Sequence, residues 1–132
     1  MVKVTEEMRG MIERQFAFVG TADRDGKPNV APKGSMRLEN EETLVFSEGM
    51  GKKTLQNLRE NPNVTVAYVD LEKIDGYQFK GKAEILEEGP LFDKSVKISE
   101  ERGKPKPKAA VKIKIEEIYS LKPGPMAGER IA

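Results

Sequence analysis

The chain has no cysteine, no histidine and no tryptophan among its 132 residues. Without cysteine it has no disulfide, no thiolate metal centre and no thiol nucleophile. Without histidine it lacks the usual metal and haem ligand and the commonest general base near neutral pH. No metal site is expected. Any demanding reaction must come from carboxylates, lysines and hydroxyls, or from a borrowed organic cofactor. An excess of one charge is missing as well: 23 Lys and Arg face 22 Asp and Glu, a net charge of +1. That balance gives no general attraction to nucleic acid or anionic lipid. Aromatic residues make up only 6% of the chain, too few for the stacking platforms of a single-strand-binding barrel. No apolar run is long enough to span a bilayer, and charges throughout Met1 to Ile12 do not read as a signal peptide. A cytoplasmic protein with no nucleic-acid or membrane partner is the expectation.

The length fits a single domain, 1–132, able to bury one core. Thr5 to Gln15 predicts a helix capped by Thr5, with Met8, Met11 and Ile12 inward. Phe16 to Ala22 predicts a strand, and Asp23-Arg24-Asp25-Gly26 a turn. Asn29 to Leu38 reads as one returning strand, interrupted by Pro32 and Gly34, and Thr43 to Ser47 as the next. A short helix follows over Lys52 to Glu60, then strands at Val64 to Leu71 and Tyr77 to Glu87. Gly89-Pro90 opens another helix, with Leu91, Phe92, Ser95, Val96 and Ile98 as its inner stripe. Gly103 to Lys108, which alternates lysine and proline, reads as an extended loop. Val111, Ile113 and Ile115 mark the last strand, and a phase shift at Ile118 predicts a bulge near Glu117. Lys122 to Ala132 is a Pro/Gly-rich tail. The predicted fold is therefore mainly β: a six-stranded antiparallel split barrel of Greek-key type with flanking helices.

Two stretches carry the chemistry. Ser47-Glu48-Gly49-Met50-Gly51-Lys52-Lys53-Thr54 runs from a strand end into a helix start. Free N–H groups and the positive end of the helix dipole, two glycines that permit close approach, two lysines and a hydroxyl make a seat for a phosphate dianion. The stretch lacks the glycine and Ser/Thr spacing of a P-loop, and by itself it reads more readily as a solvated helix start with two surface lysines. The second stretch, Asn29 to Met36, could lay the edge of a flat ring along an interrupted strand, with Lys33 near developing negative charge. By itself it is also an ordinary edge strand with a proline.

The elements in this order resemble the flavin-binding split-barrel family related to pyridoxamine 5′-phosphate oxidase. The resemblance spans Phe16 to about Leu121. It rests on Phe18-Val19-Gly20-Thr21-Ala22 with Gly26-Lys27-Pro28-Asn29-Val30, on Pro32-Lys33-Gly34-Ser35, and on Leu44-Val45-Phe46-Ser47. Its strongest part is Lys53-Thr54-Leu55-Gln56-Asn57-Leu58 followed by Asn61-Pro62-Asn63-Val64. The resemblance implies flavin mononucleotide (FMN) at the interface of a homodimer. Lys53 and Thr54 would hold the phosphate, aided by Lys52, with Asn57 nearby. Ala31, Pro32, Lys33, Gly34 and Ser35 would line the isoalloxazine ring; Ser47, Glu48, Gly49 and Gly51 would line the ribityl and phosphate side. It implies a flavin-dependent oxidoreductase with an unknown substrate, the alternative being a non-catalytic FMN carrier or electron-transfer protein. The arginine/histidine pair of the true oxidase has no match here, which argues against pyridoxamine phosphate as substrate and against haem-handling relatives. The loop Lys104-Pro105-Lys106-Pro107-Lys108 could attract an anionic substrate or redox partner, or could simply be solvated.

Overall fold

A computed structural model describes residues 2–132; Met1 lies outside them. Thr5 caps the first helix, α1 (Glu6–Arg14), by accepting a bond from the Met8 N–H, and Met8, Met11 and Ile12 are buried. Strands β1 (Ala17–Ala22) and β2 (Pro28–Lys33) form a hairpin across a turn in which Asp23 Oδ1 accepts from the N–H groups of Asp25 and Lys27, both at 2.9 Å. After β3 (Arg37–Asn40) and β4 (Thr43–Glu48), helix α2 (Lys53–Glu60) leads to β5 (Asn63–Asp70) and β6 (Asp75–Leu86). Helix α3 (Pro90–Glu101) and the long β7 (Ala109–Ser120) complete the fold.

The strands form one antiparallel sheet in the order β2-β1-β5-β6-β7-β4-β3. Its two end strands, β2 and β3, are joined only by Gly34, Ser35 and Met36. A seven-stranded sheet cannot have its ends that close unless it curls into a barrel, so this short link sets the closure. The barrel stays split there: β2 and β3 share no ladder, and the link between them is pinned to β4, with Ser35 Oγ accepting from the Ser47 N–H at 2.9 Å and donating to the Ser47 carbonyl at 3.2 Å.

The strand predicted over Asn29 to Leu38 is thus two strands, which makes seven rather than six. Pro32 has no N–H and can sit only on an edge, so β2 ends the sheet on one side; the chain then crosses at Gly34 to begin the other edge. The bulge lies where expected: Lys80 faces Glu117 and Gly81 faces Ile115, leaving Glu116 as the extra residue. Gly81 is obligatory beside it, because a Cβ there would lie 1.9 Å from the Lys114 carbonyl oxygen.

The main core includes Val19, Phe46, Tyr68, Phe79, Ile113 and Ile118, and it is sealed by α1 and by Leu55 and Leu58 of α2. A smaller core of Val45, Phe92 and Ala110 lies under α3. It explains why β4 reads as a continuous apolar run: both of its faces are covered. The buried line of α3 is Phe92, Ser95 and Ser99; Ile98, predicted inward, is half-exposed. The tail folds back on its own chain, with the Gly128 N–H bonded to the Ser120 carbonyl and the Ile131 N–H to that of Ile118.

Candidate functional site

The link between β2 and β3 and the exit of β4 meet at the split. There they bound a cavity of about 390 Å³ that contains Pro32, Lys33, Gly34, Ser35, Ser47, Gly49 and Met50. Parts of both stretches singled out in the sequence therefore share one cleft, held in register by the Ser35–Ser47 bonds, whereas Gly51, Lys52, Lys53 and Thr54 do not line it. Ile98 and Arg102 of the α3 end, and Lys104, Pro105 and Pro107 of the basic loop, form the opposite wall.

Lys33 and Glu48 form an ion pair at the rim of the barrel. The Lys33 ammonium is 2.8 Å from Glu48 Oε2 and 5.6 Å from the centre of the Phe46 ring. Only 17% of the Lys33 side chain and 4% of the Glu48 side chain are exposed. Lys33 thus reaches the cleft already neutralised, a pairing between β2 and β4 that strand patterns cannot show.

The helix start follows directly. Lys52 is the N-cap residue of α2 and provides no side-chain cap, and the first turn carries no acidic residue. Its N–H groups remain available and its dipole is uncompensated, with Lys52 and Lys53 exposed beside it. Lys53 also acts at long range on Asp23. The carboxyl of Asp23 is held below its ordinary value of 3.8, chiefly by the Lys27 N–H and in smaller part by the Lys53 charge.

Several expected site residues are placed differently from a simple reading of the motif. Thr54 is buried rather than at the rim. Asn57 is fully buried: its Nδ2 donates to Thr21 Oγ1 at 3.1 Å, and its Oδ1 has no partner among the described residues. Gly51 has φ +65°, as the turn requires, but the close approach it permits is occupied by the stem of Lys108. At Gly34 the space is occupied by the ring of Phe16, 3.0 Å from where a Cβ would stand. Space beside Gly49 is open. Ala31, paired with Val19, lies half-buried one residue before Pro32.

Phe16, Arg102 and Ile98 were not among the expected site residues. Phe16 is an aromatic residue 62% exposed just before β1, and the folded structure places it in the cleft wall against Gly34. Arg102 and Ile98 arrive through the packing of α3, which has no local sequence signal.

The profile of the pyridoxamine 5′-phosphate oxidase family matches residues 4–122. An uncharacterised protein of Methanocaldococcus jannaschii is 41% identical, over all of this chain and 90% of that protein. HupZ of Group A Streptococcus is 38% identical and superposes with a TM-score of 0.88, over 95% of this chain and 99% of HupZ. An FMN-binding protein from Syntrophomonas wolfei shares the fold at 23% identity and a TM-score of 0.77, over 90% of this chain and 86% of that one. The split barrel, its cleft and a profile match over most of the sequence agree: this chain belongs to the pyridoxamine 5′-phosphate oxidase family.

Proposed function

We propose that the chain binds FMN and acts as a flavin-dependent oxidoreductase. The observation that carries this reading is the single cleft shared by the Pro32–Ser35 link and the Ser47–Met50 exit, with the uncapped, lysine-flanked start of α2 beside it. The donor set fits the cofactor at both ends. At one end, unpaired helix N–H groups, Lys52 and Lys53 suit a phosphate dianion. At the other, the interrupted backbone from Ala31 to Ser35 and the exposed Phe16 ring suit a planar heterocycle.

When bound, FMN supplies hydride or electron transfer, which this chain's own side chains cannot provide. The protein's task is binding, orientation and electrostatics. Ser35 and Ser47 fix the two walls relative to each other. Glu48 offsets the Lys33 charge, so the pair presents a dipole rather than a full positive charge to the cleft. Phe16 must shift from Gly34 if a ring is to lie against that backbone.

Anaerobic mixing of the FMN-loaded protein with NADH or NADPH tests the catalytic step. Rapid bleaching of the flavin is expected; an inert flavin with both donors would favour a carrier or electron-transfer protein instead.

The outer face of the β1-β2 hairpin supports a homodimer. Phe18 is 45% and Val30 69% exposed, beside a groove of about 690 Å³ that also holds Lys80, Glu116 and Glu117. An apolar patch that also carries both charge signs, Lys80 with Glu116 and Glu117, offers a second copy both apolar contact and an opposite charge, which favours that copy as its occupant. Light scattering should give a dimer for the native chain and a monomer for Phe18→Glu/Val30→Glu; an unchanged mass in the variant would move the interface elsewhere.

A further inference from the structure

We infer that a second cavity, behind Phe16, is a binding site for a small organic anion bearing a carboxylate or phosphate group. It lies among α1, the β2–β3 link and the end of α3, with a volume of about 420 Å³. That is within the usual range of small-molecule sites, roughly 300–1,000 Å³. Phe16, Lys33, Gly34 and Arg102 border both this cavity and the cleft described above, so the two adjoin.

The charge lining this cavity is one-sided in a chain that is otherwise balanced. Arg9, Arg14, Lys33, Arg37 and Arg102 border it, against a single carboxylate, Glu13. Part of that charge is already matched: Lys33 by Glu48 at 2.8 Å, Arg9 by Glu6 at 3.9 Å, and Arg37 by Glu39 at 3.9 Å. Glu39 is shared, with Lys94 closer to it at 3.2 Å. Arg14 and Arg102 have no ion-pair partner among the described residues.

Arg37 is only partly matched, because Glu39, 3.9 Å from its Nε, lies beyond hydrogen-bond range. Its Nη2 donates to Ser95 Oγ at 3.1 Å, which ties the guanidinium to α3. Its Nε and Nη1 are buried with no hydrogen-bond partner among the described residues. Leaving a charged donor buried and unbonded is costly, and Arg102 adds like-charge repulsion. Burial lowers the affinity of Arg37 for its proton; Glu39 opposes this, and Arg102 adds a smaller push in the same direction as burial. An anion in the cavity would relieve that repulsion, with Arg37 as a fixed positive charge and the exposed Arg14 and Arg102 beside it. Guanidinium groups suit this role because their planar forks match carboxylate and phosphate oxygens. Ile12, Leu38 and Tyr68 supply an apolar wall for the body of such a molecule.

Flavin plays no part in this assignment, and the test uses the full chain freed of flavin. Thermal unfolding is followed against increasing inorganic phosphate or malonate, at ionic strength matched with chloride. A saturable rise in Tm is expected with at least one probe; which probe acts distinguishes a phosphate from a carboxylate ligand. With the start of α2 disabled by Lys52→Ala/Lys53→Ala, Arg14→Gln/Arg102→Gln should weaken the apparent affinity at least tenfold, whereas the distant Arg59→Gln should leave it unchanged. No response beyond chloride to either probe would overturn the assignment. So would a response that survives Arg14→Gln/Arg102→Gln in that background, or one present in the native chain and absent from Lys52→Ala/Lys53→Ala, which would place the anion at α2 alone.

Discussion

Breaking the Lys33–Glu48 pair should have an asymmetric effect, set by the burial of its two members. Removing one partner of a buried ion pair costs about 3–5 kcal/mol, because the survivor is left desolvated and unpaired. Lys33 keeps 17% of its side chain in solvent and can recover some hydration; Glu48, at 4%, cannot. Lys33→Met, which strands the carboxylate, should therefore cost about 4 kcal/mol, the middle of that range. Glu48→Gln leaves the more solvated ammonium and keeps a hydrogen-bond acceptor, so roughly 2 kcal/mol is expected. The double variant Lys33→Met/Glu48→Leu removes both charges and should lie within about 1 kcal/mol of the native chain, since well-packed apolar replacements of buried pairs are often neutral. Urea denaturation is the suitable assay, because guanidinium chloride would screen the charges under study. Losses below about 1 kcal/mol for both single variants, or a double variant that simply sums them, would refute the reasoning.

Two other expectations are local. Ile74, a β-branched residue at φ +51° in the β5–β6 turn, sits in backbone space that favours glycine. Ile74→Gly should raise stability by about 1 kcal/mol in chemical denaturation, the side chain being largely exposed. The Lys114 ammonium, 2.6 Å from Glu42, holds that carboxyl below its ordinary value of 4.5. Below pH 4.5 the unfolded chain then binds the proton first, so the contribution of Glu42 is complete above that pH and is lost as pH falls through the lower folded value. Tm measured from pH 7 downward should fall more steeply below 4.5 in the native chain than in Glu42→Gln; parallel curves would contradict this.

Features written in neighbouring residues were legible in the sequence. The Thr5 cap, the Asp23 turn and the bulge beside Glu117 depend on residues a few positions apart, and the structure places all three where the pattern does. One side of the candidate cleft was legible as well, because a glycine-bearing strand exit and a proline-interrupted strand are local signals. What was not legible depends on closure of the barrel. Nothing near Gly34 says that the chain changes sheet edges there, so β2 and β3 read as one strand. The same holds for the side chains that fill the glycine sites. Phe16 at Gly34 is 18 positions away and Lys108 at Gly51 is 57 positions away, and only the folded barrel brings them together. Asn57 falls into the same class: its motif position pointed to the ligand, yet its amide bonds to Thr21 of β1 inside the fold.

Titration of the flavin-free chain with FMN and with riboflavin, followed by absorbance and fluorescence quenching, tests the central claim most directly. One FMN per chain is expected, with riboflavin bound at least tenfold more weakly and the difference removed in Lys52→Ala/Lys53→Ala. Equal affinity for the two flavins would contradict a phosphate seat at the start of α2, and no binding of either would contradict the flavin site itself.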